Sequence, residues 1–497
     1  MSILQNYLKD KSLEKVNIAN IAYLANLEKV SEICPEIAKS IVAELDDQRR
    51  NLKLIASENF SSLSVQSAMG NLLTDKYAEG FSHHRFYAGC DNIDDIEDLA
   101  CKEAKVLFGA EHAYVQPHSG ADANLVAFWA ILRTKIQVPE LTRLNAKTPL
   151  ELDKSSWDEL RRKLGNQRLY ALDLYSGGHL THGYRMNVSA QMFDVYQYGV
   201  HKETGLLDYD AMRKGLKEIK PLIFLVGYSA YPRAIDFSVL REMTDEVGAV
   251  LMVDMAHFSG LVAGEAFSGT NNPIPYADVV TSTTHKTLRG PRGGFVLCKN
   301  EYAESVDKGC PLVIGGPIPH MMAAKAVAFR EARTPEFKEY AKNIVSNSRA
   351  LGKALIDHGL KLVSNGTDNH LVLIDLRELG ITGRQAESAL RECAITLNRN
   401  AIPNDPNGPW YTSGLRIGTP SVTTLGMGET EMSEIANLVA TVLRNIKPEE
   451  IDGKISKAKY ILAGEISNNI KQKVSNLLNR FTLYPELDLE FMKAAFK

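Results

Sequence analysis

The chain has 497 residues, of which 44% are hydrophobic and 24% are charged, the balance of an ordinary globular protein. A length of this order predicts roughly two to four domains rather than one compact core. The 57 basic and 60 acidic side chains give a formal net charge of −3, which argues against a nucleic acid as the main partner.

The cysteine content and the absence of long apolar runs indicate a cellular compartment. The six cysteines are scattered and include no CxxC pair, so neither a disulfide framework nor a zinc ribbon is indicated. The N-terminal sequence MSILQNYLKDKSLEKV lacks an apolar core of signal-peptide length, and nowhere do about 18 apolar residues follow one another. We therefore expect a protein of the reducing cytoplasm with no membrane partner.

Three segments in the first third of the chain have distinct patterns. Ile37, Ile41 and Leu45 recur at four-residue steps, which predicts an amphipathic helix over residues 35–52. Residues 76–92 (KYAEGFSHHRFYAGCDN) mix glycines, aromatic and polar side chains without a period, which favours loops near the surface. Residues 134–168 are charged and short of apolar runs, so we interpret them as a surface insertion without a catalytic part.

The middle of the chain alternates between predicted strands and helices. An apolar strand over residues 221–229 is followed by a helix whose apolar face ends before Gly248, where a helix would stop. Further apolar strands are predicted over residues 249–255, 277–283 and 294–299. Strands that alternate with helices indicate an α/β layer with a largely parallel sheet.

From about residue 335 the pattern changes. A helix, a strand over residues 370–376, a second helix and a loop rich in Pro, Asn and Gly (residues 400–409) predict a smaller α+β domain. Apolar residues at every fourth position from Ile466 to Leu478 predict a helix near the C-terminus. We therefore divide the chain into an N-terminal helical segment (residues 1–75), a large domain (76–334) and a small C-terminal domain (335–497).

Polar groups follow three of the predicted strands. Ser229 closes the first strand, Asp254 lies near the end of the second, and His285 and Lys286 follow the third. In open α/β sheets, ligands bind beyond the carboxyl ends of the strands. A lone aspartate there is more often a helix cap, and a lone lysine is usually on the surface, so the combination carries the argument.

This combination matches what pyridoxal phosphate requires from a protein. Its aldehyde needs a lysine amine, here Lys286, and its ring nitrogen needs a carboxylate, here Asp254, so that the ring can accept an electron pair. Its phosphate needs N–H groups at a helix start, which the Ser-Gly turn of QPHSGADAN (116–124) can supply, although such a turn is also a common helix cap. An aromatic ring or imidazole should cover the ring face.

Eight short strings occur in one order along the chain: LIASEN (54–59), KYAEG (76–80), QPHSG (116–120), GGHLTHG (177–183), VDMAH (253–257), STTHK (282–286), GPRGG (290–294) and SGLRIGTP (413–420). Each string alone is a weak signal, but eight in register are strong. The series resembles the serine hydroxymethyltransferase family from about residue 45 to the C-terminus, apart from residues 134–168.

The resemblance implies a fold and a reaction. The fold would be that of the fold type I pyridoxal-phosphate enzymes: a large α/β domain whose mostly parallel mixed sheet is flanked by helices, and a smaller C-terminal α+β domain. The reaction would interconvert serine and tetrahydrofolate with glycine and 5,10-methylenetetrahydrofolate, with slow aldolase, transaminase or racemase side reactions. The partners would be serine, glycine, tetrahydrofolate and a second copy of the chain, because the family shares its active sites between two subunits.

The resemblance also assigns roles to individual residues. Lys286 would carry the cofactor, with His285 beside it influencing substrate choice, and Asp254 would bind the ring nitrogen. His179 would stack on the ring, while His257 and Ser229 would hydrogen-bond the ring oxygen or the substrate carboxylate region. Residues expected at the phosphate are Ser119 and Gly120, with Tyr77 and Gly316 reaching in from the second subunit.

The remaining implied roles concern the substrates. Arg416 would clamp the substrate carboxylate with its planar fork of donors, assisted by Ser57. Glu79 would move protons, and Tyr87 would line the site. Contacts to the pteridine of tetrahydrofolate are implied for Leu174, Gly178, His179, Leu180 and Asn400.

Some readings compete with these roles. A threonine aldolase or racemase of the same fold would not use folate, and a non-catalytic binding protein would not need Lys286, Asp254 and Arg416 together. His182 is predicted to be structural. His83 and His84 do not indicate a metal site, because adjacent histidines point apart and no third ligand is near in sequence.

Three positions depart from the family's usual pattern. Ala121 replaces a serine after the Ser-Gly pair, Phe86 replaces a tyrosine, and Cys310 replaces an aromatic residue before an altered stretch (311–314). All three touch the expected shared edge of the site. We therefore expect altered cofactor and substrate affinities rather than a different reaction.

Overall fold

The computed structural model describes residues 2–9, 11, 14 and 16–497. Its helices are α1 (Ile3–Leu8), α2 (Ile18–Ile33), α3 (Pro35–Arg50), α4 (Leu63–Met69), α5 (Asp91–Phe108), α6 (Gly120–Leu132), α7 (Val138–Arg143), α8 (Lys154–Gly165), α9 (Ser189–Met192), α10 (Tyr209–Ile219), α11 (Phe237–Asp245), α12 (Ser259–Ala263), α13 (Asn300–Asp307), α14 (Gly309–Leu312), α15 (Pro319–Glu331), α16 (Pro335–Asp357), α17 (Gly383–Glu392), α18 (Pro420–Thr424), α19 (Glu429–Asn445), α20 (Gly464–Arg480) and α21 (Leu489–Ala495).

The strands are β1 (Leu52–Lys53), β2 (Gly80–Phe81), β3 (His84–Arg85), β4 (His112–Tyr114), β5 (Arg168–Leu172), β6 (Asp194–Tyr198), β7 (Ile223–Gly227), β8 (Val250–Asp254), β9 (Val279–Thr283), β10 (Gly294–Cys298), β11 (Lys361–Leu362), β12 (Leu371–Asp375), β13 (Ile395–Thr396), β14 (Asn398–Asn400), β15 (Gly414–Gly418), β16 (Lys447–Ile451) and β17 (Lys454–Ile461). Seven of them form the large sheet, in the order β4-β10-β9-β8-β7-β5-β6.

The large sheet is mixed and mostly parallel, as the sequence predicts. Neighbouring strands from β9 to β6 pair in parallel, and only β10 runs against its two neighbours. Every residue of β7, β8 and β9 is buried, because helices cover both faces. Parallel strands covered in this way read as continuous apolar runs, which is why the sequence reveals them.

Two apolar clusters hold the large sheet between its helices. Phe224 and Val226 point into a cluster with α5, α11 and α16, whereas Ile223 and Leu225 point into a second cluster with α6 and α13. The alternation follows from the two-residue period of a strand. Each fully buried side chain of this size stabilises the fold by roughly 1.5–3 kcal/mol.

The second unit of structure is a four-stranded antiparallel sheet, in the order β11-β12-β15-β14. Helices α16, α17, α19 and α20 pack on it through a separate apolar cluster. This α+β arrangement confirms the predicted change of pattern near residue 335. Short strand β1, from the N-terminal segment, pairs in parallel with β13 of this unit.

The N-terminal and C-terminal ends pack together. Helices α1, α2 and α3 share an apolar cluster with α21 and the residues before it. The predicted helix over residues 35–52 is confirmed as α3, but the assignment of its apolar face is wrong at two positions. Ile37 and Ile41 are 51% and 36% exposed, whereas Ala38 and Val42 are buried, because the face that meets α2 is rotated by one residue.

Two predicted loop regions contain regular structure. Residues 76–92 include the hairpin β2–β3, and the side chain of Arg85 in it is buried on Asp94 and Glu97. Within residues 134–168 lie α7 and α8, joined to α6 by a π-helical turn (Arg133–Gln137). This segment lies on the surface, where Leu141 and Leu160 are its only buried residues.

In the described part of the chain no helix combines the length and the apolarity that crossing a membrane requires. All six cysteines are free thiols, and four of them are buried. The three-part domain division remains a prediction.

Candidate active site

A cavity of about 400 Å³ opens beyond the carboxyl ends of β7, β8 and β9. Its volume lies in the range of small-molecule sites. The residues that line it come from seven parts of the chain: Ser57, Glu58, Ser119, Gly120, Ala121, Asn124, His179, Tyr228, Ser229, Asp254, Ala256, His257, Thr283, His285, Lys286 and Arg292. The cavity therefore brings together nine residues that the sequence assigned to the site: Ser57, Ser119, Gly120, His179, Ser229, Asp254, His257, His285 and Lys286.

Lys286 follows β9 and projects its amine into the cavity. Burial lowers the pKa of Lys286 to about 8; Asp254 opposes this shift, and the positive charges of Arg416 and Arg292 add to it. A pKa near 8 leaves about a tenth of the amine neutral at pH 7, whereas an ordinary lysine leaves less than about a thousandth. The structure thus supplies an amine that can act as a nucleophile near neutral pH.

Asp254 ends β8 and is held by three donors. Its Oδ2 accepts hydrogen bonds from Asn124 Nδ2 (2.9 Å) and His182 Nε2 (3.1 Å), and its Oδ1 accepts one from the Ala256 N–H (3.0 Å). Burial alone would raise the pKa of Asp254, but the hydrogen bonds and charge of the donors hold that pKa well below its usual range. The cavity therefore contains a permanent negative charge.

The start of α6 forms one wall of the cavity. Ser119 caps the helix, its Oγ accepting a hydrogen bond from the Asp122 N–H at 3.2 Å. A Cβ on Gly120 would lie 2.7 Å from Thr283 Cγ2, so only glycine lets the helix approach β9 this closely. The first N–H groups of a helix have no intrahelical acceptor, and here they lie beside the cavity as an anion site.

His179 lines the cavity with a neutral imidazole. Burial, followed by the charge of His182, lowers the pKa of His179 to about 4. Thr181 Oγ1 lies 2.7 Å from His179 Nδ1 and accepts a hydrogen bond from Asn124 Nδ2 at 2.8 Å. Because Asn124 also binds Asp254, one hydrogen-bonded chain orients both the carboxylate and the ring.

His257 is paired with a histidine that the sequence did not single out. Its Nδ1 shares a hydrogen bond of 3.1 Å with His370 Nε2, and both rings are buried. Burial lowers the pKa of His370 to about 3 and that of His257 well below its ordinary value, so the pair is neutral. His370 immediately precedes β12, so this contact links the small sheet to the cavity.

Arg416, on β15, is not among the residues that line the cavity, but it binds Ser229, which is. Its Nη1 donates to the Ser229 carbonyl (2.7 Å) and its Nε donates to Asn398 Oδ1 (3.1 Å). Burial lowers the pKa of Arg416 to about 10, so the guanidinium stays charged. The two bonds fix the plane of the fork.

Four predicted site residues form a group of their own. The rings of Tyr77 and Tyr87 lie 4.8 Å apart, and a Cβ on Gly316 would lie 3.4 Å from the Tyr77 ring. Glu79 follows on the same loop as Tyr77. None of the four lines the cavity of its own chain.

The remaining predicted contacts also lie outside the cavity lining. They are Leu174, Gly178, Leu180 and Asn400. Position 178 has room only for glycine, because a Cβ there would lie 2.1 Å from the Leu172 carbonyl oxygen. Leu180 is exposed, and Asn400 ends β14.

Sequence reasoning missed two side chains that hold the site and underrated a third. Asn124 and His370 were not singled out, and His182, interpreted as structural, binds Asp254 directly. Asn124 carries a usable signal, since it lies four residues after Gly120 on the first turns of α6. His370 carries none, because only the folded chain brings it to His257.

The departures from the family pattern occupy different environments. Ala121 lines the cavity, whereas Phe86 is exposed. Cys310 is buried, and its Sγ accepts a hydrogen bond from the Gly80 N–H at 3.4 Å, next to Glu79. The Cys310 change therefore bears on the loop of Tyr77 and Glu79, and the Ala121 change bears on the wall at the start of α6.

The residues present fit pyridoxal phosphate. One cavity contains an amine, a fixed carboxylate, a helix start and a neutral imidazole, which are the four partners that this cofactor needs. The Nδ1 of His285 is buried without a hydrogen-bond partner in the described chain, so the cavity also holds an unused polar group. Across residues 2–9, 11, 14 and 16–497, no three His, Cys, Asp or Glu side chains are grouped as metal ligands.

Comparisons with known proteins agree on one family. The family model described as serine hydroxymethyltransferase matches residues 30–143 and 163–439, and the unmatched residues 144–162 fall inside the surface insertion. A serine hydroxymethyltransferase of Treponema pallidum is 59% identical over 496 residues, which cover 100% of this chain and 86% of the relative. Those of Salinispora tropica (56% identical; 95% and 99% covered) and Chlamydia muridarum (51% identical; 98% and 99% covered) carry the same name. The chain belongs to the serine hydroxymethyltransferase family.

Proposed function

We propose that this chain transfers the hydroxymethyl carbon of serine to tetrahydrofolate, reversibly, and releases glycine and 5,10-methylenetetrahydrofolate. Pyridoxal phosphate is the cofactor, and tetrahydrofolate is the co-substrate. The observation that carries the proposal is the meeting of Lys286 and Asp254 in one cavity beside the start of α6. In the cytoplasm, the location we propose, the reaction supplies glycine and one-carbon units.

Each cavity residue has a defined task toward the cofactor. When bound, pyridoxal phosphate supplies an electron sink for the pair left on the α-carbon. Lys286 provides the amine that attaches to the cofactor aldehyde, Asp254 keeps a proton on the ring nitrogen, and His179 covers the ring face. Ser119 and Gly120 hold the phosphate at the start of α6.

The substrate is oriented by side chains at the cavity's edge. Arg416 has its Nη1 and Nε occupied by Ser229 and Asn398, which leaves Nη2 to bind a carboxylate. Ser57 supports that carboxylate, and His257 and Ser229 contact the region beside it. Fixing the carboxylate would orient the Cα–Cβ bond for cleavage, so the gain is chiefly one of orientation.

We further propose that the active chain is a homodimer with shared sites. Tyr77 and Tyr87 are 55% and 50% exposed, and the neighbouring Phe86 is also exposed, so this loop presents a large aromatic surface. Contiguous apolar surface of this kind is typical of an interface. In the dimer, Tyr77, Glu79, Tyr87 and Gly316 reach the partner's cavity, where Glu79 moves protons at the hydroxymethyl group and the folate.

The folate site lies next to His179. Leu180 offers an exposed apolar side chain, and the tight packing of Gly178 fixes the backbone on the other side of His179. Leu174 and Asn400 complete the proposed contacts to the pteridine. Ala121 and Cys310 alter affinities at the edge of the site and leave the amine and the carboxylate in place.

Folate dependence tests the proposed reaction. Purified protein with pyridoxal phosphate and serine labelled at the hydroxymethyl carbon should release that carbon to tetrahydrofolate, because Glu79 and the pteridine contacts act only when folate is bound. The measurement is label transfer with and without tetrahydrofolate. Equal serine cleavage in both conditions would indicate a folate-independent aldolase instead.

Mixing of inactive variants tests the shared site. Glu79→Gln and Lys286→Ala subunits should each be inactive, yet their mixture should regain up to about a quarter of wild-type activity, because one site in each mixed dimer contains both native residues. Activity after unfolding and refolding the two together is the measurement. The Glu79→Gln protein refolded alone is the control, and no regain in the mixture would rule out sites built from two subunits.

A further inference from the structure

A lysine outside the cavity lining is buried among backbone carbonyls. Lys325, on α15, is 1% exposed. Its Nζ donates hydrogen bonds to the carbonyl oxygens of Val115 (2.5 Å), Pro117 (2.9 Å) and Gly294 (2.9 Å). Among the described residues, no carboxylate lies within ion-pair distance of this amine, although most buried charges have one.

The geometry favours the charged form of Lys325. An ammonium has three N–H donors and no acceptor, which matches three carbonyls, whereas a neutral amine would direct a lone pair at one of them. Burial lowers the pKa of Lys325 to about 7, and the nearby Cys101, Glu97 and Asp122 oppose that shift. The three carbonyls therefore favour an ammonium that, among the described residues, has no direct carboxylate partner.

All three carbonyls belong to segments that shape the cavity. Val115 and Pro117 lead directly into the Ser119–Gly120 turn, and Gly294 pairs with Thr283, three residues before Lys286. These segments and Lys325 pack so closely that neither Gly293 nor Gly294 could carry a side chain. A Cβ on Gly294 would lie 2.2 Å from the Ser119 carbonyl oxygen, and one on Gly293 would lie 2.6 Å from Lys325 Cε.

We propose that Lys325 is a positioning residue for the cofactor phosphate. Its ammonium fixes the Ser119–Gly120 turn from behind, and its charge offsets the negative charge that the turn receives. This inference rests on the proposed function. A buried cation without a carboxylate partner is unfavourable on its own, so a phosphate bound at the turn would stabilise the charged form of Lys325.

A purely structural lysine would behave differently from a positioning one. Loss of a structural contact weakens every ligand of the cavity alike, or only lowers the thermal stability. Loss of the charge behind the turn weakens only ligands that carry phosphate. Pyridoxal has the same ring and aldehyde as pyridoxal phosphate and lacks the phosphate, so the ratio of the two affinities separates the roles.

The experiment compares cofactor-free wild type with Lys325→Met and Lys325→Gln. The glutamine retains two donors without the charge, so it remains informative if the methionine variant fails to fold. Dissociation constants for pyridoxal phosphate and pyridoxal are measured by absorbance. We expect both variants to bind pyridoxal phosphate about 10- to 100-fold more weakly and pyridoxal within about threefold of wild type.

Two further arms complete the test. Inorganic phosphate should raise the melting temperature of the cofactor-free wild type and raise that of the variants less. Arg330→Met, on the same helix but bound to Glu103, should leave both affinities unchanged. Equal weakening of the two ligands, or none, would overturn the role of Lys325, whereas wild type that fails to bind pyridoxal phosphate would overturn the proposed function as well.

Discussion

Lys286→Ala should lower folate-dependent serine cleavage by roughly 10⁴-fold or more, the size of effect seen when a covalent nucleophile is removed. Lys286 follows β9, and burial lowers the pKa of its amine to about 8. The methyl side chain of alanine offers no nucleophile, and among the described residues no second lysine lines the cavity. Initial rates with saturating serine and tetrahydrofolate are the measurement, supported by borohydride reduction, which should fix the cofactor on the peptide that contains Lys286 in wild type only.

Lys299→Ala is the matched control. Lys299 immediately follows β10 of the same sheet, and its amine binds Asp278 at 2.7 Å, away from the cavity. We expect near wild-type rates with a modest loss of stability, since a partly exposed ion pair contributes about 1 kcal/mol or less. If borohydride fixed the cofactor on a residue other than Lys286, the assignment of the whole site would be wrong.

The sequence predicted the large sheet, and the meeting of polar residues at one edge of it, for a physical reason. Strands β7, β8 and β9 are buried on both faces, so β7 and β8 are nearly continuous apolar runs and β9 begins with two valines, and polar residues follow at their carboxyl ends. Parallel strands bring those ends to one edge of a sheet, so Ser229, Asp254 and Lys286 could be placed together before any coordinates.

Tertiary contacts explain what the sequence could not predict. Asn124, His370 and Lys325 act through hydrogen bonds to residues more than 30 positions away, and no local pattern marks such partners. The predicted apolar face of α3 was wrong for a related reason. Alanine is only weakly apolar, so Ala38 gave little signal in the sequence, yet its small side chain lets it pack closely.

The short helices and the hairpin within residues 134–168 and 76–92 could not be predicted from the sequence either. Their helices and hairpin are short, and α8 is held by surface ion pairs such as that of Lys163 with Glu140 rather than by an apolar stripe. Hydrophobic periodicity, the main signal for a helix, is therefore weak there. The roles of Tyr77, Glu79, Tyr87 and Gly316 stay predictions, since a single chain does not show which residues a second chain covers.

Asp254→Asn should lower the turnover number by about 10²- to 10³-fold, the usual effect of removing one preorganised electrostatic partner. The amide has no charge to keep the cofactor's ring nitrogen protonated. Because the pKa of Asp254 is held well below its ordinary value, the carboxylate is charged throughout the working range, and the defect should not vary between about pH 6 and 9. Steady-state rates across that range, together with the cofactor's absorbance spectrum, are the measurements.

Asp278→Asn separates loss of charge from loss of structure. Asp278 immediately precedes β9, at the opposite end of the sheet from the cavity, and binds Lys299 and Arg241 at 2.7 and 2.8 Å. In both variants an amide replaces a carboxylate that accepts hydrogen bonds, so each should lose about 1–3 kcal/mol of stability by leaving a donor without its acceptor. Only Asp254→Asn should lose turnover, since only Asp254 is proposed to bind the ring nitrogen. Equal turnover in the two variants would mean that the carboxylate at the end of β8 is structural, and the electron sink would then need another source of its proton.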